Sequence, residues 1–318
     1  MRNHSVDSLK FVCAVLVVFL HVNSKGHAYY LPITRCAVPC FFMISGYFLM
    51  SENMKARLVM GCNKISHITA ISTLLFAAVT LATHHFELSS IIPSFSDLAI
   101  FVLLNDNPWG FHLWYLGAYL YVLLICIIID KYNKWNQAFM AIPILLVIDL
   151  IIGKYSILIM GHEFPYIFAR NFLFVGLPYF LIGAYIKRKQ FLLKKHQELA
   201  WGGVVFLSLI SVLENRLLLH LGLNATRDHY ITTTPLSIFL FMFFLSRQQE
   251  KPTFFSEIGK RDSLYIYILH PLWITFFSIV IPHMPAIWRN SYSYIAPIAV
   301  LGSTMVLIIF LRKINIIK

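Results

Sequence analysis

Apolar runs long enough to cross a bilayer recur along the chain, separated by short polar stretches. A membrane-spanning helix needs about 20 mostly apolar residues, and long flanking side chains that extend to the interface allow a shorter apolar core. The pattern predicts ten spans, at about 6–24, 36–51, 65–83, 112–129, 138–153, 170–186, 199–221, 231–246, 262–281 and 292–311. The predicted fold is therefore an all-α polytopic membrane helix bundle.

The stretch 86–110 is apolar in part but is not predicted to be an eleventh span. It contains Pro93, which breaks the helical hydrogen-bond ladder, and Asp97, which is costly in lipid. We expect an interfacial or re-entrant helix within a long outer loop.

Composition strengthens the membrane assignment. Of the 318 residues, 58% are hydrophobic and only 13% are charged, whereas apolar residues make up about 45–50% of a soluble domain. We predict one integral-membrane domain over residues 1–318, with no separate soluble domain. The first apolar run lacks a small-residue cleavage site, so it is not expected to be a signal peptide.

The net charge of +12 is distributed as expected for membrane topology, not as a nucleic-acid-binding face. Seven of the 26 lysine and arginine residues lie outside or at outer helix ends, which leaves nineteen inside. The outer seven are Lys25, Arg35, Lys154, Arg170, Arg216, Arg227 and Arg289. By the positive-inside rule, both termini should be cytoplasmic. The most basic inner loop, 187–197, is a topology signal or a region that attracts an anionic cytosolic ligand.

Several classes of enzyme lack support in the sequence. No Walker A, Rossmann, GxSxG, HExxH or CxxC pattern occurs. The five cysteines form no metal-spaced pair with histidines, and their odd number argues against a disulfide framework. No metal site is predicted, and the cysteines are expected to act as small apolar residues in helix contacts.

The first span carries an ionisable side chain near each end. Lys10 and His21 are eleven residues apart, which places them on one helix face, separated by about 16 Å along the axis. Asp7 lies three residues before Lys10 and is close enough to pair with it. Ionisable residues in spans are costly and mark functional sites by default. The alternative interpretation is that Lys10 and His21 simply extend to the two interfaces.

Arg35 begins the second span, and His112 and Trp114 begin the fourth. A ten-residue outer loop between the first two spans should place Arg35 near His21, where a cation favours the neutral, base-competent imidazole. Lipid phosphate is the alternative partner of Arg35. An interfacial anchor is the alternative role for Trp114, but that role does not explain His112.

The loop before the sixth span and the middle of the ninth supply the other candidates. Glu163 and Arg170 face outward, and His270 lies about eight residues into the ninth span. Pro271 follows it and breaks the backbone ladder. A broken span with an imidazole at membrane depth indicates a lined cavity, and a hydrogen-bonded core histidine is the alternative.

Five motifs occur in order between residue 7 and about residue 273. They are DSLKFVCAVLVVFLH, RCAVPCFFMISGYF, HLWYLGAYLY, the weaker RNFLFVGLPYFLIGAYI, and SLYIYILHP. Together they resemble the acyltransferase-3 family of bacterial membrane O-acyltransferases, in which a basic residue precedes the first-helix histidine by eleven positions. The family usually has arginine where this chain has Lys10, and lysine lacks the planar bidentate fork of arginine.

The resemblance implies transfer of an acetyl group from acetyl-CoA, bound on the cytoplasmic side, to a hydroxyl of an envelope glycan. The acceptor would be an O-antigen, an exopolysaccharide or a lipid-linked sugar. It implies a multi-pass protein of the bacterial cytoplasmic membrane, in contact with membrane lipids, with no tightly bound cofactor and no nucleic-acid partner. The extracytoplasmic hydrolase-like domain of some relatives is not in this sequence, so the acceptor is expected to meet the membrane domain.

Roles for the candidate residues follow from the resemblance and their positions. His21 would act as general base, or less favourably as an acetyl-carrying nucleophile. Arg35, with His112 or Arg170, would stabilise the oxyanion. The residues expected to bind substrates are Lys10, Trp114, Glu163, Arg170 and His270. Further cations that could hold CoA phosphates are Arg188, Lys189 and Arg261.

A transporter or flippase for a small polar solute or a lipid-linked sugar is the rival hypothesis. Asp149 and Glu214 lie in apolar runs, and together with His270 they would fit a solute pathway. The sequence shows no inverted repeat, which argues against that alternative.

Overall fold

A computed structural model describes residues 3–51, 53–189, 197–225, 227–247 and 249–317. Within these ranges the chain forms α-helices, short 3-10 turns and a π-helical turn, and no β-strand. The α-helices are α1 (His4–His21), α2 (His27–Thr34), α3 (Ala37–Leu49), α4 (Met54–Thr83), α5 (Phe95–Leu104), α6 (Trp114–Lys131), α7 (Trp135–Ile152), α8 (Ser156–Met160), α9 (Tyr166–Ala169), α10 (Leu177–Arg188), α11 (Gln197–His220), α12 (Thr233–Ser246), α13 (Phe254–Arg261), α14 (Ser263–Val280) and α15 (Ala286–Lys313). The predicted all-α fold is confirmed.

Eight helical segments in the described ranges are long and apolar enough to cross a membrane. They are His4–His21, His27–Leu49, Met54–Thr83, Phe111–Lys131, Trp135–Ile152, Gln197–His220, Ser263–His283 and Ala286–Lys313. The predicted polytopic bundle is confirmed. The other two predicted spans correspond to the 14-residue α12 and to the π turn Phe172–Gly176 leading into α10. The count of ten and the cytoplasmic termini stay predictions.

Two boundaries differ from those that the sequence predicts. The loop between the first two spans contains α2, an eight-residue helix, because HAYYLPIT is itself apolar enough to form a short helix. The helix predicted over 65–83 begins at Met54, so Lys55 and Lys64 lie on α4 and not in a loop. Both side chains are exposed at the helix surface, and long basic side chains of this kind reduce their cost on an apolar helix by extending to the interface.

The stretch 86–110 contains α5, which has ten residues and is too short to span a bilayer. Ser94 and Asp97 form a capping box at its start: the Asp97 amide donates to the Ser94 hydroxyl, and the Asp97 carboxylate accepts from the Ser94 amide. Hydrogen bonds from Ser94 hold the pKa of Asp97 below its ordinary value. Asp97 therefore starts a short helix and is not a charge buried in a span.

The helices form two compact units. Unit 1 comprises Met1–Phe41, Leu192–Arg216 and Thr232–Lys318. Within it α1 packs against α2, α12, α13, α14 and α15. At Gly259 of α13 the backbones of α1 and α13 meet closely, since an added Cβ would lie 1.9 Å from the carbonyl oxygen of Asp7. Unit 1 is thus built around α1, the helix with the proposed catalytic base.

Unit 2 comprises Phe42–Phe191 and Leu217–Ile231. In it α6 packs against α4 and against the π turn Phe172–Gly176, and α7 packs against α10. Gly46 of α3 and Gly183 of α10 let two backbones meet, since a Cβ on either would lie about 2 Å from a carbonyl oxygen of the other helix. The prediction of a single membrane domain stays a prediction.

Candidate active site

Helix α1 carries Lys10 and His21 on one uninterrupted α-helix, as the sequence predicts. Asp7 is buried, and its carboxylate accepts a hydrogen bond from Lys10 Nζ at 2.9 Å. The predicted ion pair is confirmed. The Lys10 side chain is 28% exposed, so the ammonium group remains accessible at this end of the helix while a buried carboxylate holds it in place.

His21 lies at the other end of α1 and contacts His270 of α14. The two imidazoles are parallel, with an interplanar angle of 5° and ring centroids 5.2 Å apart. His21 Nδ1 lies 3.0 Å from His270 Nε2, a hydrogen-bond distance. The two residues are 249 positions apart in sequence. We call them the histidine pair.

His270 is enclosed in the protein interior. Its side chain is fully buried, and its Nδ1 lies 3.1 Å from the carbonyl oxygen of Ile266, one turn earlier on α14. Pro271 has no amide hydrogen, so it cannot donate to the carbonyl of Tyr267. The His-Pro dipeptide therefore places a rigid imidazole against His21.

Arg35 lies between α2 and α3 in unit 1, and its side chain is half-buried. Two contacts hold the start of α2. The Ser24 hydroxyl lies 2.7 Å from that of Tyr30, and the Asn215 side-chain amide donates to the carbonyl of Ala28. The expected proximity of Arg35 to His21 stays a prediction.

His112 belongs to unit 2, where it is buried on the turn before α6. Its ring meets the Phe76 ring edge to face at 4.4 Å and also contacts Phe111. An aromatic setting of this kind holds an imidazole by packing. The role in oxyanion stabilisation stays a prediction.

Arg170 lies beside Trp114, and the predicted role of both residues in substrate binding stays a prediction. The Arg170 guanidinium carbon is 5.5 Å from the Trp114 ring centre and 4.5 Å from that of Tyr166. Arg170 Nε is 3.9 Å from an Asp228 carboxylate oxygen. We call Trp114, Tyr166, Arg170 and Asp228 the Arg170 cluster. It combines aromatic faces with both signs of charge, a composition suited to polar ligands.

Tyr166 connects this cluster to Asp106. Its hydroxyl donates to the Asp106 carboxylate at 2.6 Å. Partial burial, followed by this hydrogen bond, raises the pKa of Tyr166 to about 12. The phenol therefore remains protonated and continues to donate across the physiological pH range.

Glu163 is paired with Arg227 at 3.3 Å, and Arg227 also donates to the carbonyl of Phe164. The next residues after Arg227 are ionisable too, and His229 Nδ1 lies 2.7 Å from a carboxylate oxygen of the buried Asp149. The stretch Arg227–Asp228–His229 thus contacts three acids or bases from elsewhere in unit 2. None of these three residues was predicted to be a site residue, although three consecutive ionisable residues in a short loop indicate a candidate site.

No group of three His, Cys, Asp or Glu side chains within the described ranges is arranged to hold a metal ion. All five cysteines are buried free thiols. Part of the basic inner loop, residues 190–196, lies outside the described residues, while Arg188 and Lys189 lie at the end of α10 in unit 2.

The chain matches one protein family over nearly its whole length. A family model described as an acyltransferase domain, that of the acyltransferase-3 family, matches residues 3–312. The chain therefore belongs to the acyltransferase-3 family, and the predicted resemblance is confirmed. The fold and the family together make it a multi-pass membrane acyltransferase.

Three curated relatives are each 26% identical to the chain. An amino-acid racemase of Enterococcus faecalis matches over 200 residues, which are 57% of this chain and 27% of the relative. A serine/alanine racemase of Enterococcus gallinarum matches over 294 residues, 86% of this chain and 41% of the relative. A further amino-acid racemase of E. faecalis matches over 325 residues, which are 91% of this chain and 43% of the relative.

The chain spans less than half the length of these curated relatives. The activity in their names is that of the longer proteins. No solved structure matches the chain.

Proposed function

We propose that this acyltransferase moves an acetyl group from cytosolic acetyl-CoA to a hydroxyl of an envelope glycan or a lipid-linked sugar, in a bacterial cytoplasmic membrane. His21 is the general base. Acetyl-CoA is a substrate that binds from the cytoplasmic side, and no cofactor is tightly bound.

The contact between His21 and the buried His270 is the observation that carries this proposal. A catalytic base must be held in one orientation, within reach of the hydroxyl whose proton it accepts. Rigid packing of the two rings supplies that orientation. A histidine that merely extended to the interface would have no need of a buried partner.

The chemical step is an addition followed by an elimination. His21 accepts the proton of the sugar hydroxyl as the oxygen forms a bond to the thioester carbonyl carbon. The carbon–sulfur bond then breaks, CoA leaves as a thiol after taking up the proton, and the acetyl ester remains on the sugar. Arg35, with His112 or Arg170, stabilises the negative oxygen of the intermediate.

Lys10 is the proposed contact for the CoA phosphates. Its ammonium group is partly exposed and held by Asp7, and a lysine binds phosphate as a compact point charge. Arg261, which is half-exposed at the end of α13, and Arg188 and Lys189 are additional candidates. The acyl arm then extends along α1 toward the histidine pair.

The proposed acceptor contacts lie in unit 2. Trp114 and Arg170 of the Arg170 cluster offer an aromatic surface and hydrogen-bond donors, and Glu163 offers a carboxylate. Sugars are bound by such combinations, because their faces are apolar and their edges carry hydroxyls.

The test is acetyl transfer from radiolabelled acetyl-CoA to isolated envelope glycan by the purified protein. We expect His21→Ala to lower transfer by about a hundredfold or more, the usual contribution of a general base. His67→Ala is the control, since His67 is an exposed histidine of α4. Unchanged transfer by His21→Ala would eliminate the proposed base.

Mass spectrometry of surface polysaccharide from a deletion strain tests the substrates separately. Loss of one acetyl mass from a defined sugar supports the proposal. Loss of a larger acyl mass would mean that the protein is an acyltransferase with a donor other than acetyl-CoA. An unaltered polysaccharide would contradict the proposed acceptor.

One observation favours a second candidate, the transport of a small polar solute. Most of the chain aligns with parts of longer proteins named amino-acid and serine/alanine racemases, so a membrane domain of this kind could supply such a protein with its amino acid. Uptake of labelled serine or alanine into proteoliposomes, without acetyl transfer, would support transport over transfer.

A further inference from the structure

The hydrogen bonds of the histidine pair determine which nitrogen of each ring carries a proton. A neutral imidazole has one N–H donor and one acceptor nitrogen. The partner of His270 Nδ1 is the carbonyl oxygen of Ile266, which can only accept. His270 Nδ1 therefore carries the proton, and His270 Nε2 carries the lone pair.

The same reasoning extends to the second ring. His270 Nε2, with its lone pair, lies 3.0 Å from His21 Nδ1, so His21 Nδ1 must be the donor. In neutral His21 the lone pair is then on Nε2, the nitrogen directed away from His270. The chain of bonds runs from His21 to His270 and from His270 to the backbone of α14.

From this geometry we infer that His270 is a positioning residue, which fixes His21 in the tautomer whose Nε2 accepts the proton of the acceptor hydroxyl. The inference rests on the proposed role of His21 as general base. It replaces the expectation that His270 binds substrate, and it assigns His270 no contact with the reacting atoms.

His270 also acts after proton transfer. When His21 Nε2 takes the hydroxyl proton, His21 becomes an imidazolium whose Nδ1–H still points at the His270 lone pair. A hydrogen bond from a charged donor is about twice as strong as one between neutral groups. His270 therefore stabilises the charged form of the base while remaining neutral itself, as suits a fully buried ring.

Two substitutions at His270 separate positioning from packing. His270→Phe keeps a flat ring against His21 but removes the acceptor. His270→Gln offers an amide oxygen near the position of the lost Nε2. We expect His270→Phe to lower kcat by about tenfold or more, with the KM for acetyl-CoA within twofold of wild type, and His270→Gln to recover most of that loss.

His67 provides matched control variants. Its Nδ1 also bonds to the carbonyl oxygen four residues earlier on a helix, that of Asn63 at 2.7 Å, but its side chain is exposed. His67→Phe and His67→Gln should both retain wild-type kcat. A wild-type kcat in His270→Phe, or equal losses in His270→Phe and His270→Gln, would overturn the inference.

Nitrogen-15 NMR of histidine-labelled wild-type protein tests the tautomer without any variant at His270. We expect the His21 signal, assigned by its loss in His21→Ala, to show a protonated Nδ1 and an unprotonated Nε2. The opposite tautomer in the neutral protein overturns the inference even if His270→Phe does not fold. Since activity of His21→Ala tests the base itself, failure of positioning and failure of the proposed function are distinguishable.

Discussion

Asp262 is a single buried carboxylate that joins the ends of two helices. It lies just before α14, is 1% exposed, and contacts Arg312 in the last turn of α15 at 2.5 Å. Arg261, which is 52% exposed, contacts the same carboxylate at 3.3 Å. A carboxylate buried this deeply requires such partners, because desolvation otherwise penalises its charge.

We predict that Asp262→Asn lowers the free energy of unfolding by about 1–3 kcal/mol, the range for hydrogen bonds to charged groups. The loss should be smaller than for a fully buried ion pair, because Arg312 is 23% exposed and solvent screens its charge. The measurement is the thermal unfolding midpoint in detergent.

Arg312→Gln and the double variant complete a double-mutant cycle. The effects should not add, since one interaction is removed twice. Arg261→Gln should lower the free energy of unfolding by less than Arg312→Gln, because Arg261 is more exposed than Arg312. Additive effects of Asp262→Asn and Arg312→Gln would contradict the assigned pair.

Individual residues were predictable from the sequence where their partners are local. Asp7 and Lys10 are three apart on one helix, so helical geometry alone places them together. His21 and His270 are 249 residues apart, and their contact depends on how α1 packs against α14. The sequence predicts that His270 lies within a span, but it does not predict that His21 is its partner.

At the scale of elements, two glycines determine how closely α3 and α10 approach. A Cβ on Gly183 would lie 2.0 Å from the carbonyl oxygen of Met43, a backbone atom that cannot move aside without moving its helix. Small residues at such crossings allow close packing of membrane helices.

We predict that Gly183→Ala destabilises the protein by about 1–3 kcal/mol through overpacking. The matched control is Gly202→Ala on α11, where nothing lies within 4 Å of the new Cβ. That change should be neutral or stabilising by up to about 1 kcal/mol, since alanine favours helix over glycine. Unfolding midpoints measure both, and equal shifts of the same sign would contradict the assigned crossing.

Most helices were predictable because apolar length is a strong signal. The π turn Phe172–Gly176 and the short α2 were not. The π turn begins where Asn171 accepts hydrogen bonds from the amides of Leu173 and Phe174, a local arrangement that hydropathy does not encode. Likewise the start of α4 at Met54 was missed, because charged residues in its first turns resemble a loop.

At the scale of the whole molecule, family and architecture support one another. The family match extends over residues 3–312, and it includes both compact units of the structure. The histidine pair lies in unit 1, and the Arg170 cluster lies in unit 2. The family match therefore covers both units and is not confined to either one.

The membrane orientation can be tested at the two ends of α15. Arg289 in its first turn is predicted to face outward, and Lys313, its last residue, is predicted to face the cytoplasm. With 28 residues the helix is about 42 Å long, enough to bridge the bilayer. Both side chains are exposed, so a cysteine at either position is open to reagents.

We predict that a membrane-impermeant maleimide labels Arg289→Cys in intact cells and labels Lys313→Cys only after permeabilisation. The wild-type chain should remain unlabelled, because its five native thiols are at most 9% exposed and buried thiols react poorly. Labelling of Lys313→Cys alone in intact cells would show that the orientation is the opposite of the predicted one. The end of α1 that carries Lys10 would then face away from cytosolic acetyl-CoA, and the donor would have to reach His21 by another route.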